Sequence, residues 1–125
     1  MLESALPVAF VPSTDLGRAR EFYEGALGLP VSDVSDFACV FRVGPITLRV
    51  TKVGELAPAP FTVFGWEVAA IHEMVAGLAG RGVEFVRYDG MGQDPAGVWT
   101  APGGAQVAWF HDPDGNVLSV TQLSG

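Results

Sequence analysis

The chain has 125 residues, of which 49% are hydrophobic, and it carries a formal net charge of −7 at pH 7. This length suits one compact domain with a sizeable core, over residues 1–125. The negative charge repels nucleic-acid phosphates and anionic membranes, and no apolar run approaches the roughly 18 residues that cross a bilayer, which excludes nucleic-acid and membrane partners. Glu3 stands where a secretory signal would be basic and the single Cys39 has no disulfide partner, so we expect a cytoplasmic protein.

The first half of the sequence predicts a βαβββ module over residues 6–53. Residues 6–11 are apolar and rich in strand-forming types, and residues 12–15 supply polar side chains that can cap a helix. Apolar residues at spacings of three and four predict a helix over 16–26, which Gly28 ends. Three extended segments are predicted after it, over 31–34, 37–43 and 46–53.

Residues 54–60 contain two prolines and break both patterns, so we predict a linker there. The same order then returns over 61–123, as a second module. Its predicted elements are a strand over 61–68, a helix over 70–80, a strand over 83–88, one or two short extended pieces within 89–104, and hairpin strands over 107–110 and 117–121. The hairpin turn at 112–116 combines a proline with a glycine that tolerates φ > 0. The sequence VLSVT at 117–121 nearly repeats TLRVT at 47–51, which indicates a duplication.

Six short motifs run through the two halves in a fixed order. They are Asp15-Leu16, Arg20-Glu21-Phe22-Tyr23-Glu24, Leu27-Gly28-Leu29, Gly65-Trp66-Glu67-Val68, Arg81-Gly82-Val83 and Phe110-His111-Asp112-Pro113-Asp114-Gly115-Asn116. In that order they resemble the vicinal oxygen chelate superfamily of glyoxalases, bleomycin resistance proteins, fosfomycin-modifying enzymes and extradiol dioxygenases. The resemblance implies an α+β fold of two tandem βαβββ modules, whose sheets form a curved, partly open mixed β-barrel around a cavity with helices on the outer faces. It also implies a homodimer.

In metal-dependent members of that superfamily, up to four side chains hold a divalent ion, two from each module. Counting from the matching motifs places these positions at Val8, Arg49, Val63 and Ser119. Protein sites for magnesium, manganese, iron, nickel or zinc are built from His, carboxylate, amide or thiolate ligands, and an arginine adds positive charge where a cation would sit. We therefore expect neither a metal nor another cofactor.

The two histidines, His72 and His111, are the other candidates for chemistry. His72 begins the second helix and His111 lies beside the turn, and neither is predicted at a strand position that faces the cavity. We expect both to be exposed or locally hydrogen-bonded. No nucleophile elbow and no phosphate-binding glycine loop is present.

Strand alternation predicts which side chains line the cavity and which form the core. The predicted cavity side comprises Val8, Phe10, Thr47, Arg49, Thr51, Val63, Gly65, Glu67, Val117, Ser119 and Thr121. The predicted core side comprises Leu48, Val50, Trp66, Leu118 and Val120. Arg49 and Glu67 either pair with each other or hold ligand. Trp99 either stacks on ligand as a lid or packs at the barrel end or against a second subunit, and Trp66 and Trp109 are core or interface aromatics.

Two classes of function follow from the resemblance. The first is a metal-independent protein that binds a small molecule, either an antibiotic or a metabolite, as bleomycin resistance proteins do, and the acidic balance suits a cationic ligand. Its predicted ligand contacts are Phe10, Arg49, Val63, Glu67, Trp99 and Ser119. The second is an enzyme of glyoxalase, isomerase or dioxygenase type in which Glu67 acts as a base and Arg49 stabilises an enolate or other anion. A partner module with a vestigial pocket is a third possibility.

Overall fold

A computed structural model describes all 125 residues, and the chain forms two compact units, Met1–Ala57 and Pro58–Gly125. Each unit contains a four-stranded mixed sheet and follows the order strand, helix, three strands. The predicted fold class, an α+β chain of two tandem βαβββ modules, is therefore confirmed. No helix has the length and apolar character that a membrane span requires.

The first unit is built on a sheet in the order β1-β4-β3-β2, in which β1 is parallel to β4. Its elements are β1 (Val8–Ser13), α1 (Leu16–Arg20), a π-helix (Glu21–Ala26), β2 (Val31–Val34), β3 (Ala38–Val43) and β4 (Ile46–Lys52). The first strand lies two residues later than predicted because its pairing with β4 continues through Pro12 to Ser13. An edge strand tolerates a proline that a central strand would not.

The predicted helix over 16–26 forms, although its second half is π-helical. Asp15 caps it, since its Oδ1 accepts a hydrogen bond from the Arg18 backbone N–H at 3.0 Å. At the other end, the Leu27 N–H donates to the Phe22 carbonyl oxygen five residues back, at 3.0 Å. The helix buries Tyr23, whose ring centroid lies 5.6 Å from that of Phe41 in β3.

The core of the first unit is formed by four consecutive residues of β3, 38–41, and by alternate residues of β4. Phe41, Leu48 and Val50 have no exposed surface, as the alternation predicted for Leu48 and Val50. Cys39 is buried beside them. Burial raises the pKa of its thiol, Arg20 lowers it and Glu24 raises it, with a net increase. The cysteine is therefore a packing residue.

The second unit repeats this topology in the order β5-β8-β7-β6, with β5 parallel to β8. Its elements are β5 (Thr62–Glu67), α2 (Ile71–Ala79), β6 (Trp99–Thr100), β7 (Gln106–His111) and β8 (Val117–Gln122). The two-residue strand β6 is the short extended piece expected in the glycine-rich interval, and it pairs with β7.

The strand predicted over 83–88 does not form, which corrects the sequence analysis. Only Phe85 makes a bridge, to Phe110, and the Val86 N–H donates to the Trp109 carbonyl oxygen at 2.8 Å. The Gln93 side chain takes the place of a neighbouring strand, because its Nε2 donates to Val86 O at 2.9 Å and its Oε1 accepts from the Tyr88 N–H at 2.7 Å. These bonds satisfy backbone groups that a sheet would otherwise pair.

The turn between β7 and β8 is held by one buried carboxylate. Asp112 Oδ1 accepts from the backbone N–H groups of Asp114 and Asn116, both at 2.9 Å. Its Oδ2 accepts from Asn116 Nδ2 at 2.8 Å. Gly115 adopts a φ of 87°, as the turn prediction required.

The core of the second unit is aromatic. Phe110 has no exposed surface, and its ring centroid lies 5.6 Å from that of Phe85 and 6.4 Å from that of Trp66. Helix α2 contributes Ile71, Val75 and Leu78, which are all buried. Trp66 packs against this core and is itself half-buried.

Candidate functional site

Each sheet has a face opposite its helix, which we call the helix-free face. In the first unit, Phe10 on β1 is paired directly with Arg49 on β4, and directly paired residues project to the same side. Phe10 is 64% exposed and Arg49 is half-buried. Thr51 follows Arg49 on the same face, and its Oγ1 is buried without a hydrogen-bond partner. The structure therefore brings Phe10 and Arg49 together beside an unsatisfied hydroxyl.

In the second unit, the helix-free face carries Glu67 and Ser119. Glu67 on β5 pairs with Thr121 on β8, and Ser119 pairs with Gly65 on one side and with Trp109 on the other. Glu67 is exposed and Ser119 is buried. Leu118 and Val120 point the other way into the core, with at most 2% exposed surface. The faces predicted from strand alternation therefore hold on β8, whereas β5 departs from strict alternation between Thr62 and Phe64.

Val63 lies at an irregularity of β5. The pairing of β5 with β8 shifts register between Thr62 and Phe64, so Val63 has no direct partner on β8. Its side chain is 38% exposed. The extra residue is typical of a β-bulge, which bends a strand locally.

Gly65 lies where β5 passes closest to Ser119. A Cβ atom on Gly65 would lie 2.6 Å from Ser119 Oγ and 2.9 Å from the Ser119 carbonyl oxygen, both closer than real Cβ contacts. A side chain at this position would therefore force the two strands apart.

We expect Gly65→Ala to destabilise the protein by about 1–3 kcal/mol, because the added methyl group overlaps backbone that cannot move freely. Urea unfolding followed by circular dichroism would measure the change. Gly77→Ala is the matched control, since a Cβ on Gly77 in α2 would meet nothing within 4 Å. That control should be neutral or stabilising by up to about 1 kcal/mol. A Gly65→Ala protein as stable as the control would contradict the tight strand contact.

Three aromatic side chains cluster at the β7 side of the second unit. Trp109 has its ring centroid 6.0 Å from that of Trp99 and 5.4 Å from that of Tyr88, which meets it edge-on at 86°. Because Trp109 is paired with Ser119, it projects to the helix-free face. Counting outward from the hairpin turn in the sequence would have paired Trp109 with Ser119 and so placed it on this face. Trp109 was interpreted instead as a core or interface residue. Trp99 is held in β6 against Trp109.

Four positions correspond to those at which metal-dependent members of the superfamily that the sequence resembles hold an ion. They are Val8, Arg49, Val63 and Ser119, whose only neutral oxygen donor is one serine hydroxyl. No three or more His, Cys, Asp or Glu side chains lie together in a group that could hold a metal ion. The donor set at these positions does not fit a divalent metal.

The two histidines differ in their surroundings. His72 is exposed, as predicted, and its Nε2 lies 2.7 Å from Asp94 Oδ2, a partner 22 residues away that the sequence did not identify. His111 occupies the last position of β7, opposite Val117, because that strand extends one residue beyond its predicted end. The prediction that neither histidine would fall on such a strand position was wrong for His111, which projects to the same side as Trp109.

Asp94 anchors the loop before β6. Its Oδ1 accepts from the Ala96 and Val98 N–H groups at 3.0 and 2.9 Å, while Oδ2 contacts His72. Burial raises the pKa of this carboxyl. The hydrogen bonds from His72, Val98 and Ala96 together lower it by more, so the net change is a decrease.

Because the folded-state pKa of Asp94 lies below its unfolded value, its stabilisation is present above about pH 4 and is lost as pH falls through the folded-state pKa. We therefore expect wild type to be more stable than Asp94→Asn at pH 7, and the difference to shrink at more acidic pH. Thermal unfolding between pH 7 and strongly acidic pH would measure it, with Asp89→Asn, in the same loop, as control. A difference that is constant down to the most acidic condition would contradict this role.

The family model of the Glyoxalase/Bleomycin resistance protein/Dioxygenase superfamily matches residues 5–120. A search of the curated proteins found no match.

Solved structures with the same fold are numerous. A glyoxalase family protein from Enterococcus faecalis is 17% identical, with a TM-score of 0.75 over 97% of this chain and 99% of its own. A glyoxalase/bleomycin resistance protein/dioxygenase from Alicyclobacillus acidocaldarius is 16% identical, with a TM-score of 0.73 over 98% of this chain and 93% of its own. A lactoylglutathione lyase from Agrobacterium tumefaciens is 16% identical, with a TM-score of 0.72 over 95% of this chain and 93% of its own. At these identities the likeness establishes the fold alone.

Proposed function

The chain belongs to the glyoxalase/bleomycin resistance protein/dioxygenase superfamily, and we propose that within it this protein binds a small molecule, an antibiotic or a metabolite, without a metal ion and without turning it over. We propose that Val63, Glu67, Trp99 and Ser119 contact this ligand in the second unit, and that Phe10 and Arg49 form a ligand contact of their own on the helix-free face of the first unit. We further propose that the ligand is a planar aromatic compound with a positive charge.

The observation that carries this proposal is the aromatic cluster on the helix-free face of the second unit. Trp109 lies between Trp99 and Tyr88 and shares its face with the Glu67 carboxylate. Indole rings bind flat aromatic groups by stacking and attract cations to their faces. A carboxylate on the same face supplies the counter-charge, so the face combines apolar walls with a few polar groups, as small-molecule sites do.

The sheet register gives the size of this face. Glu67, Thr121, Val107 and Trp99 form one row across four strands, each paired with the next. Since neighbouring strands lie about 4.8 Å apart, the row spans about 14 Å between the Glu67 and Trp99 backbones. A compound with several fused rings has this length.

Metal independence is supported by the side chains at the four positions that correspond to the metal ligands of the superfamily. Valine offers no donor atom, arginine repels a cation, and a single serine hydroxyl is a weak ligand for a divalent metal. A superfamily member with these four residues therefore has the strands of the fold but no side chains that can chelate a divalent ion.

Two measurements on the purified protein test the proposal. Metal analysis should find no stoichiometric ion, and ethidium, a planar aromatic cation, should quench tryptophan fluorescence and raise the melting temperature. A ligand at a hundred times its dissociation constant stabilises the native state by about 2.7 kcal/mol. Neutral phenanthridine, which has the same ring system without the charge, should bind more weakly. The same thermal-shift screen would include cationic glycopeptides, aromatic antibiotics and small keto compounds.

Stoichiometric nickel, zinc, manganese or iron would contradict the proposal, as would failure of every aromatic cation to bind. Turnover of a small keto compound would instead support an enzyme of glyoxalase type with Glu67 as the base and Arg49 as the anion stabiliser.

We also propose that the protein is a cytoplasmic homodimer. Superfamily likeness supports the dimer, and so do exposed apolar side chains on the edge strand β1, where Val8 is 48% and Phe10 is 64% exposed. The buried, unpaired Cys39 is compatible with a reducing compartment. Light scattering coupled to size-exclusion chromatography would measure the mass, and a mass of one chain at all concentrations would contradict the dimer.

A further inference from the structure

A second cavity lies on the helix side of the second unit, away from the helix-free face. It is a cleft of about 360 Å³ between α2, the segment 83–87 and the loop 95–97. Val75 and Val83 form a buried floor, and Ala76, Ala79 and Phe85 continue the apolar walls. This volume falls within the range of small-molecule sites, and such walls suit an apolar body.

A cationic side chain lies at the rim of this cleft. Arg87 is exposed and lines the cleft, and its Nη2 donates to the Asp94 carbonyl oxygen at 2.6 Å. This bond fixes the guanidinium on one side, but its partner is a neutral carbonyl oxygen rather than a carboxylate. The guanidinium has further N–H donors in a planar fork, which matches a carboxylate in two-point geometry. This hydrogen bond therefore holds the positively charged guanidinium of Arg87 in place, and no carboxylate forms an ion pair with it.

The nearby Asp94 carboxylate does not take up that charge, because its oxygens are already engaged. Oδ1 accepts two backbone N–H groups and Oδ2 contacts His72 Nε2 at 2.7 Å. An ionised carboxylate only accepts hydrogen bonds, so His72 donates through Nε2 and Asp94 holds the ring at the cleft rim. Asp94 therefore positions both Arg87 and His72 beside the apolar walls.

We propose that this cleft is a second binding site, for a monocarboxylate with a short apolar body. Arg87 binds the carboxylate, while Val75, Ala76 and Phe85 contact the apolar part. A single guanidinium beside apolar walls suits a singly charged planar group better than a phosphate dianion, whose additional oxygens would stay unsatisfied. This site is independent of the proposed function, because α2 lines it and the helix-free face lies on the other side of the sheet.

Titration of the protein with hexanoate, 1-hexanol and hexylammonium, followed by amide NMR spectra, tests this site. Hexanoate should produce saturable shifts at the amides of Ala76, Ala79, Ala96 and Gly97, with an affinity at least about tenfold above those of the other two probes. Shifts that saturate instead at Gly65 and Ser119, or equal affinities for hexanoate and hexanol, would overturn the proposal.

Variants separate the charge from the shape of the cleft. Arg87→Gln should weaken hexanoate about tenfold, to the level of hexanol, and Ala76→Leu should weaken both by filling the cleft. Arg42→Gln removes the same charge from an exposed residue of β3 that does not line the cleft, and should stay within about twofold of wild type. The dispersion of the amide spectra reports folding for each variant. Wild-type hexanoate affinity in a folded Arg87→Gln protein would refute the role of Arg87.

Discussion

Replacing Arg49 and Glu67 together by alanine is expected to weaken binding of the cationic ligand strongly, because Glu67 supplies its counter-charge, and to leave the fold intact. Both side chains lie on helix-free faces, Arg49 half-buried and Glu67 exposed, and neither belongs to a core. A hydrogen bond to a charged group contributes about 1.5–3 kcal/mol, so losing the Glu67 carboxylate should lower the affinity for ethidium about ten- to a hundredfold, whereas the Arg49 guanidinium, itself positive, contributes no attraction to a cation. Calorimetric titration with ethidium, or with the best ligand of the screen, would measure the loss, and the melting temperature of the unliganded protein would report the fold.

Two further variants make this result specific. Glu67→Gln keeps the shape of the side chain and removes its charge, so it should weaken ethidium but not neutral phenanthridine. The double variant Arg42→Ala with Glu73→Ala removes the same pair of charges from exposed positions on β3 and α2, and should bind within about twofold of wild type. Unchanged affinity in the Arg49 and Glu67 double variant would place the ligand elsewhere.

Phe110→Ala is expected to destabilise the protein by about 3–5 kcal/mol, the cost of removing a fully buried aromatic ring. Phe110 has no exposed surface, contacts the rings of Phe85 and Trp66, and forms with Phe85 the backbone bridge between the segment 83–88 and β7. Urea unfolding would measure the free-energy change. Amide exchange should also accelerate at Val86, whose N–H donates to the neighbouring Trp109 carbonyl oxygen.

Phe61→Ala provides the control, because the same side chain is removed from the same unit at a position that is 65% exposed. Its expected effect is within about 0.5 kcal/mol. Equal destabilisation by the two substitutions would show that the aromatic core does not depend on Phe110.

Local chemistry explains why much of the fold could be predicted. The period of two in β4 and β8 places Leu48 and Leu118 in the cores, since one face of each sheet packs against its helix. The turn at 112–116 follows from residues that bond to their own neighbouring backbone, as Asp112 does. Asp15 caps its helix for the same reason. Each of these predictions depends on residues that lie within a few positions of one another in the sequence.

The features that sequence analysis missed depend on contacts between distant residues. Residues 83–88 have strand composition, but the amide of Gln93 pairs their backbone and prevents a regular strand. The contact between His72 and Asp94 joins a residue on α2 to one in a later loop, and no periodic pattern in the sequence predicts it. The aromatic cluster around Trp109 needed the register of β7 against β8, which fixes the face.

The edge position of β1 has a consequence for solution behaviour. Unpaired N–H and C=O groups on an outer strand can recruit strands from other molecules and begin aggregation. Pro7 precedes β1 and Pro12 lies within it, so two backbone donors are missing where β1 could otherwise template a growing sheet. Exposed Val8 and Phe10 can therefore offer an apolar surface for recognition on a strand that is poorly suited to seeding amyloid-like stacking.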